Sequence, residues 1–181
     1  MESEKANLRN GRSVDRLLVG AIVVLAAALV WVVSGTLQDR VINAGDTAPD
    51  FKIVSDSGRT YTRKDFGGKL LVLNFWASWC EPCVQEVPSL AAFQRVMGPD
   101  GVVVLGVSID TNEKRYKQFV QRFRVNFPTA RDPKADISSS YGTFQIPETY
   151  LIDSTGKVRE KIISNQNWVD PQFLARVKAM L

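Results

Sequence analysis

The sequence predicts an α/β domain, a central mixed sheet flanked by helices, preceded by one N-terminal transmembrane helix. Three observations carry this. "LLVLNFW" (70–76) and "VVVLGVSI" (102–109) are continuous apolar runs rich in β-branched residues, as expected of strands buried on both faces. The stretch between them has helical periodicity, so strand, helix and strand form a right-handed βαβ unit. Finally, residues 17–37 contain no charged side chain.

The N-terminal run, "LLVGAIVVLAAALVWVVSGTL", is long enough as a helix to cross a hydrocarbon core of about 30 Å. Lys5, Arg9, Arg12 and Arg16 precede it, whereas Asp39, Asp46 and Asp50 follow beside a single Arg40. The positive-inside rule then puts residues 1–16 in the cytoplasm as a tail and exports everything after Leu37. Ala26, Ala27 and Ala28 offer a cleavage site, but the apolar run continues to Val33, past an h-region of about 7–15 residues. An uncleaved signal anchor is expected, holding a single-pass protein in the cell membrane.

Residues 38–49 read as a polar linker and 50–181 as the globular domain. "FKIVSDSGRTYT" is a hairpin turning at Ser57 and Gly58. Glu81 to Met97 is a helix with apolar sets at Val87, Leu90, Ala91 and at Phe93, Val96, Met97, stopped by Gly98 and Pro99. Pro88 inside it removes one backbone hydrogen bond and predicts a kink. A second helix, Glu113 to Arg124, has an apolar stripe of Tyr116, Phe119, Val120 and Phe123 opposite Lys114, Lys117, Arg122 and Arg124. That basic side suits a solvated face. "TYLID" and "KVREKII" form a second hairpin whose charges mark an edge strand. Asp170 as N-cap and Pro171 at the first position open a terminal helix to Leu181.

Composition narrows the chemistry. The 181 residues carry a net charge of +4 and no nucleic-acid motif, so nucleic acid is not an expected partner. There is no histidine. That removes His-based acid–base catalysis, Cys-His nucleophile pairs and the commonest ligand for zinc, copper and haem iron. The only two cysteines, Cys80 and Cys83, are too few for a closed thiolate zinc site, and Val84 follows where haem attachment needs histidine. No metal or other cofactor is expected.

Two thiols three apart at a strand-to-helix junction suit disulfide exchange. A helix N-terminus favours thiolate over thiol. Spacing i, i+3 lets the second sulfur reach the first, so an exposed attacking sulfur is backed by a resolving one, and Pro82 presets the first turn. As a mere staple the pair would close a loop of a few residues and stabilise little.

"NFWASWCEPC", Pro88, "AGDTAPDF" and Ile146-Pro147 within "IPETYLIDSTGKV" resemble the thioredoxin-like ResA/TlpA/CcmG family, membrane-anchored extracytoplasmic thiol–disulfide oxidoreductases. "CEPC" is most similar to the ResA subgroup, "PET" to CcmG. The resemblance implies a thioredoxin-like fold and a redox-active disulfide in which Cys80 attacks and Cys83 resolves. It implies a cis Pro147 beside that disulfide, and substrate contacts around Trp79, Glu81 and Ile146. Asn74 stands where thioredoxin has a buried, proton-handling aspartate, and the ResA-like glutamate three residues after the second cysteine is Glu86. Glu86 is thus either a proton partner for Cys83 or a first-turn glutamate serving the helix dipole. Glu81, negative between the sulfurs, opposes thiolate formation and makes the couple more reducing.

The implied function is disulfide reduction in cytochrome c maturation. Apocytochrome c haem-site cysteines are the substrate, and a membrane thiol transporter of the CcdA/DsbD type is the electron donor. The alternative is a broader TlpA-like reductase, for example of copper-site cysteines in an oxidase. A peroxiredoxin would need Thr or Ser at Ala77 and Pro at Leu73, and a Sco-type copper carrier would need C-x-x-x-C and a histidine.

Overall fold

The computed structural model of the chain describes residues 2–36, 41–66 and 70–181. It divides into two units, Met1–Asp39 and Arg40–Leu181. In the first, helix α1 (Glu2–Thr36) contains the apolar window Arg16–Val33, long and apolar enough to cross a membrane and with none of it buried. The helix starts well before Leu17, so the expected tail is helical too; Met1, Leu37 and the linker positions 38–40 lie outside the described residues.

The second unit holds a five-stranded mixed sheet flanked by helices. Its strands are β3 (Leu70–Trp76), β4 (Val102–Ser108), β5 (Thr129–Arg131), β6 (Glu148–Ile152) and β7 (Val158–Ile163), in the order β5-β4-β3-β6-β7. β1 (Lys52–Val54) and β2 (Thr60–Thr62) form a separate hairpin. β3 pairs in parallel with β4 through the crossover helix α2 (Glu81–Met97), and antiparallel with β6. Every residue of β3 is buried, which is why its sequence is apolar without alternation.

Period two nevertheless sorts its side chains. Leu71, Leu73 and Phe75 pack with Tyr150, Ile53, Tyr61 and Tyr141 on one face; Leu70 and Val72 pack with Leu90, Phe93, Trp168 and Phe173 on the other. A third cluster, at the C-terminal end of β3, joins Trp76, Cys80, Cys83 and Val87 to Tyr116 and Phe119 of α3 (Glu113–Arg122). Gly106 of β4 makes room for it: a Cβ there would lie 3.0 Å from Trp76 Nε1 and 3.1 Å from Phe127 Cε2.

Several boundaries differ from the sequence reading. Residues 41–49, expected as linker, are built into the domain: Ile42 and Ala48 are buried, the Gly45 amide donates to Val158 O and the Ala48 amide to Gly156 O. α3 ends at Arg122 because Arg124 turns left-handed, at φ 47°, and donates its amide to Gln121 O. α5 (Pro171–Lys178) stops before Leu181; Asp170 caps it, its Oδ1 accepting from the Gln172 and Phe173 amides. β5 and α4 (Asp136–Ser140) are too short to show a period in sequence. β7 is an edge strand, as its charges predicted.

Candidate active site

The site forms where β3 runs into α2. The chain leaves the sheet at Trp76, turns through Ala77, Ser78 and Trp79, and enters the helix with Cys80 as N-cap and Pro82 in the first turn. Asp110, just beyond the neighbouring parallel strand, fixes this turn. Its Oδ2 accepts from the Ser78 amide at 2.8 Å and from Ser108 Oγ at 2.7 Å, and its Oδ1 from Ser78 Oγ at 2.7 Å. Asp110 was not singled out in the sequence, although a polar residue at the C-terminal edge of a parallel strand is a recognisable signal.

Cys80 and Cys83 form a disulfide, with Cα atoms 5.2 Å apart. Cys80 Sγ also serves the helix, accepting from the Cys83 amide at 3.3 Å. An amide that would otherwise be unpaired thus points at the first sulfur, an arrangement that stabilises negative charge there. The sulfur expected to be exposed is mostly covered: Cys80 is 6% accessible and Cys83 0%. Of the two residues, Cys80 is the one that keeps some exposed surface.

Ile146 and Pro147 are brought to the pair. The Ile146–Pro147 peptide is cis, and Ile146 O lies 3.6 Å from Cys80 Sγ. Pro147 is buried. Trp79, 62% accessible, and Glu81 stand on the rim, where Glu81 Oε1 accepts from Gln85 Nε2 at 3.4 Å. Phe144, two residues before Ile146, is 74% accessible.

Glu86 is not an exposed first-turn glutamate. It is 2% accessible. Its Oε1 accepts from Asn74 Nδ2 at 2.9 Å and its Oε2 from Trp168 Nε1 at 3.2 Å. Asn74 also donates to Thr149 Oγ1 at 2.9 Å, directly across the β3–β6 ladder. Burial pushes the Glu86 carboxyl up to about 7, with the donors from Asn74, Trp168 and the Gln166 backbone opposing the rise. Glu86 lines a cleft of about 420 Å³ together with Gln85, Ser89 and Asn165 to Asn167. No hydrogen bond joins it to either sulfur among the described residues. Asn74, noted in the sequence only as unable to titrate, holds the residue that can. Trp168 and Thr149 were not foreseen; a lone tryptophan in the polar "NQNWVD" was the available hint.

Among the described residues no cluster of His, Cys, Asp or Glu is arranged to hold a metal ion. The site's reactive feature is a sulfur–sulfur bond at a helix start, followed about one helical turn later by a buried carboxyl whose pKa burial raises to about 7. A family model described as AhpC/TSA matches residues 44–161. The chain belongs to the AhpC/TSA family. The thiol-disulfide oxidoreductase ResA of Geobacillus thermodenitrificans is 31% identical over 169 residues, covering 91% of this chain and 97% of that protein. ResA of Bacillus thuringiensis is 32% identical over 158 residues, 84% of this chain and 90% of that one. A crystal structure from Chlorobium tepidum, described as the thiol:disulfide interchange protein DsbE, superposes with a TM-score of 0.71 at 29% identity, over 77% of this chain and 98% of its own. The fold is thioredoxin-like and the enzyme is a thiol-disulfide oxidoreductase, with disulfide-containing molecules as its substrates.

Proposed function

We propose that this oxidoreductase is an extracytoplasmic disulfide reductase anchored by α1, working in cytochrome c maturation on the haem-site cysteines of apocytochrome c. The observation that carries the exchange chemistry is Glu86, a buried carboxyl raised to about 7 three residues after Cys83, which can take the proton the resolving thiol must lose, while the reductive direction rests on the negative charge of Glu81 between the sulfurs. The ResA-named relatives and the "CEPC" sequence support the pathway; the basic residues before the apolar window and the acidic ones after it support the exported orientation.

In the reduced enzyme the Cys80 thiolate attacks one sulfur of the substrate disulfide. That bond breaks, a mixed disulfide forms, and one substrate thiolate leaves and is protonated. Cys83 gives its proton to the Glu86 carboxylate and attacks Cys80 Sγ, releasing the second substrate thiolate and closing the Cys80–Cys83 bond. Two electrons have moved from enzyme to substrate. A membrane dithiol carrier of the CcdA/DsbD type returns them by the reverse exchange. Glu81 disfavours thiolate and keeps the couple reducing, while Pro82, Ile146, Pro147 and Trp79 shape the approach to Cys80.

The test is capture. Cys83→Ser should accumulate mixed disulfides through Cys80, with apocytochrome c among the trapped proteins, and Cys80→Ser should trap none. Trapping of oxidase copper-site proteins in place of apocytochrome c would transfer the reading to a broader reductase. Mixed disulfides accumulating on Cys80→Ser would reverse the two roles.

A further inference from the structure

Beside Cys80, between the start of α2 and α3, lies a surface groove of about 590 Å³ to which neither the disulfide nor Glu86 contributes. Trp79 and Phe123 supply apolar wall, and Phe119 the floor. Arg115 and Arg122 line it from α3, and Glu81 is its one carboxylate. The two arginines are seven residues apart, so they lie on one face of the helix about 10 Å apart along its axis, with Phe119 between them. Arg122 lies over the Phe123 ring, 5.5 Å from its centroid, and neither arginine is held by a carboxylate. α3's carboxylate, Glu113, is taken by Lys117 at 2.6 Å and Arg131 at 3.3 Å, and among the described residues Arg115 and Arg122 form no ion pair. Of the basic side that the sequence suggested was solvated, Arg122 lines this groove, and Arg115, which is not in that set, lines it too, opposite Trp79 and Glu81 on either side of Cys80 in the chain.

We propose that this groove receives an extended, acidic segment of the substrate protein next to the disulfide being reduced. The inference rests on the reductase reading and adds a substrate preference to it. An extended strand advances about 3.3 Å per residue, so about three residues span the two arginines, and carboxylates near the ends of such a segment meet both. An apolar side chain between them lies on Phe119 and Trp79. A carboxylate presented to guanidinium is recognised through a paired, planar hydrogen-bonding geometry that a lone positive charge lacks. Glu81 reinforces the choice by repelling a second carboxylate placed directly over the sulfurs, which favours acidic residues a few positions from the substrate cysteine rather than beside it. Anionic lipid is the less suitable occupant, because the groove is walled by aromatics and lined by Trp79 and Glu81, the residues that flank Cys80 in the chain.

The experiment uses the full chain, reduced, in neutral detergent, with disulfide-bridged peptides that differ only in carrying Glu or Lys three and six residues from the cysteine. Each peptide rate is divided by that variant's rate toward hydroxyethyl disulfide, so general changes in thiol reactivity or folding cancel. The acidic peptide should react about tenfold faster at low salt, and most of the difference should vanish near about 1 M salt, where the Debye length falls to about 3 Å. Arg115→Gln with Arg122→Gln should bring the ratio close to one, and Arg115→Glu with Arg122→Glu should invert it. A ratio near one in the wild type, or one that neither variant pair moves, overturns the inference while hydroxyethyl disulfide reduction leaves the reductase reading standing. Failure to reduce any disulfide would instead remove the reductase reading itself. If the arginine pairs altered only the difference between phosphatidylcholine vesicles and vesicles containing phosphatidylglycerol, with no change in peptide ratio, the surface would be a lipid contact and the inference would be wrong.

Discussion

Two buried glutamates sit on opposite faces of the same two strands. Glu86 reaches from α2 to Asn74 of β3, which stands opposite Thr149 of β6; Glu148, one residue earlier in β6, stands opposite Phe75 and points to the other face. Both are almost fully buried, at 2% and 0%. Their partners differ. Glu148 Oε1 lies 2.7 Å from Lys161 Nζ and accepts from Tyr150 Oη. Glu86 has only neutral donors, an amide and an indole, and among the described residues no cation pairs with it. An ammonium beside a carboxylate makes a structural tie, here joining β6 to β7 under the proline loop. Neutral donors hold a carboxyl in position without supplying the charge that would keep it ionised. Burial alone therefore does not mark a residue for proton transfer. The charge of its partners does.

The largest effect should come from breaking the ion pair. Lys161→Met leaves the Glu148 carboxylate buried without its cation and should cost about 3–5 kcal/mol of stability, read from urea unfolding of the full chain. Loss below about 1 kcal/mol would mean that Glu148 is not held by this pair.

Glu86→Gln should act in the opposite direction. A carboxyl raised from 4.5 to about 7 by folding binds a proton in the native state that the unfolded chain has released, so wild-type stability falls as pH rises between those values. Below about 4.5 both states are protonated and the penalty is absent; above about 7 it is fully present. The Gln variant should lack this slope and be more stable than the wild type by up to about 3 kcal/mol at pH 8, in the oxidised protein. Its rate of disulfide reduction should also lose an inflection near neutrality. A variant whose pH slope matches the wild type would return Glu86 to a structural role.

A smaller change sharpens the same point. Trp168→Phe keeps an aromatic ring against Phe93 and Phe173 but removes the donor to Glu86 Oε2. A hydrogen bond to a charged group contributes about 1.5 kcal/mol, so the Glu86 midpoint should move up by about one pH unit. Spectroscopic titration of that carboxyl would detect it; a midpoint moving down would contradict a donor role for the indole.

Much of the fold and half of the site were legible in residues. β3 and β4 announced themselves as unbroken apolar runs, α2 by its 3.6-residue period, and the cysteines by position, spacing and Pro82. These are local signals, set by strand burial, helix repeat and capping chemistry within about twenty residues of chain. The disulfide across i, i+3 and Asp170 as a cap follow from the same short-range geometry.

What the tertiary structure alone decided depends on residues far apart in sequence. Asn74 and Thr149 meet only because β3 and β6 are antiparallel neighbours, and Trp168 reaches Glu86 only because the loop before α5 folds over α2. Read singly, Asn74 is a residue that cannot titrate and Glu86 is an ambiguous glutamate in an early helical turn. Assembled, the first positions the second in a site dry enough to raise its pKa. Arg122 reads the same way, as an ordinary charge on an amphipathic helix until α3 is laid beside Trp79 and Glu81. Desolvation and the sign of neighbouring charge are properties of a place rather than of a residue type, and a place exists only once distant segments have packed.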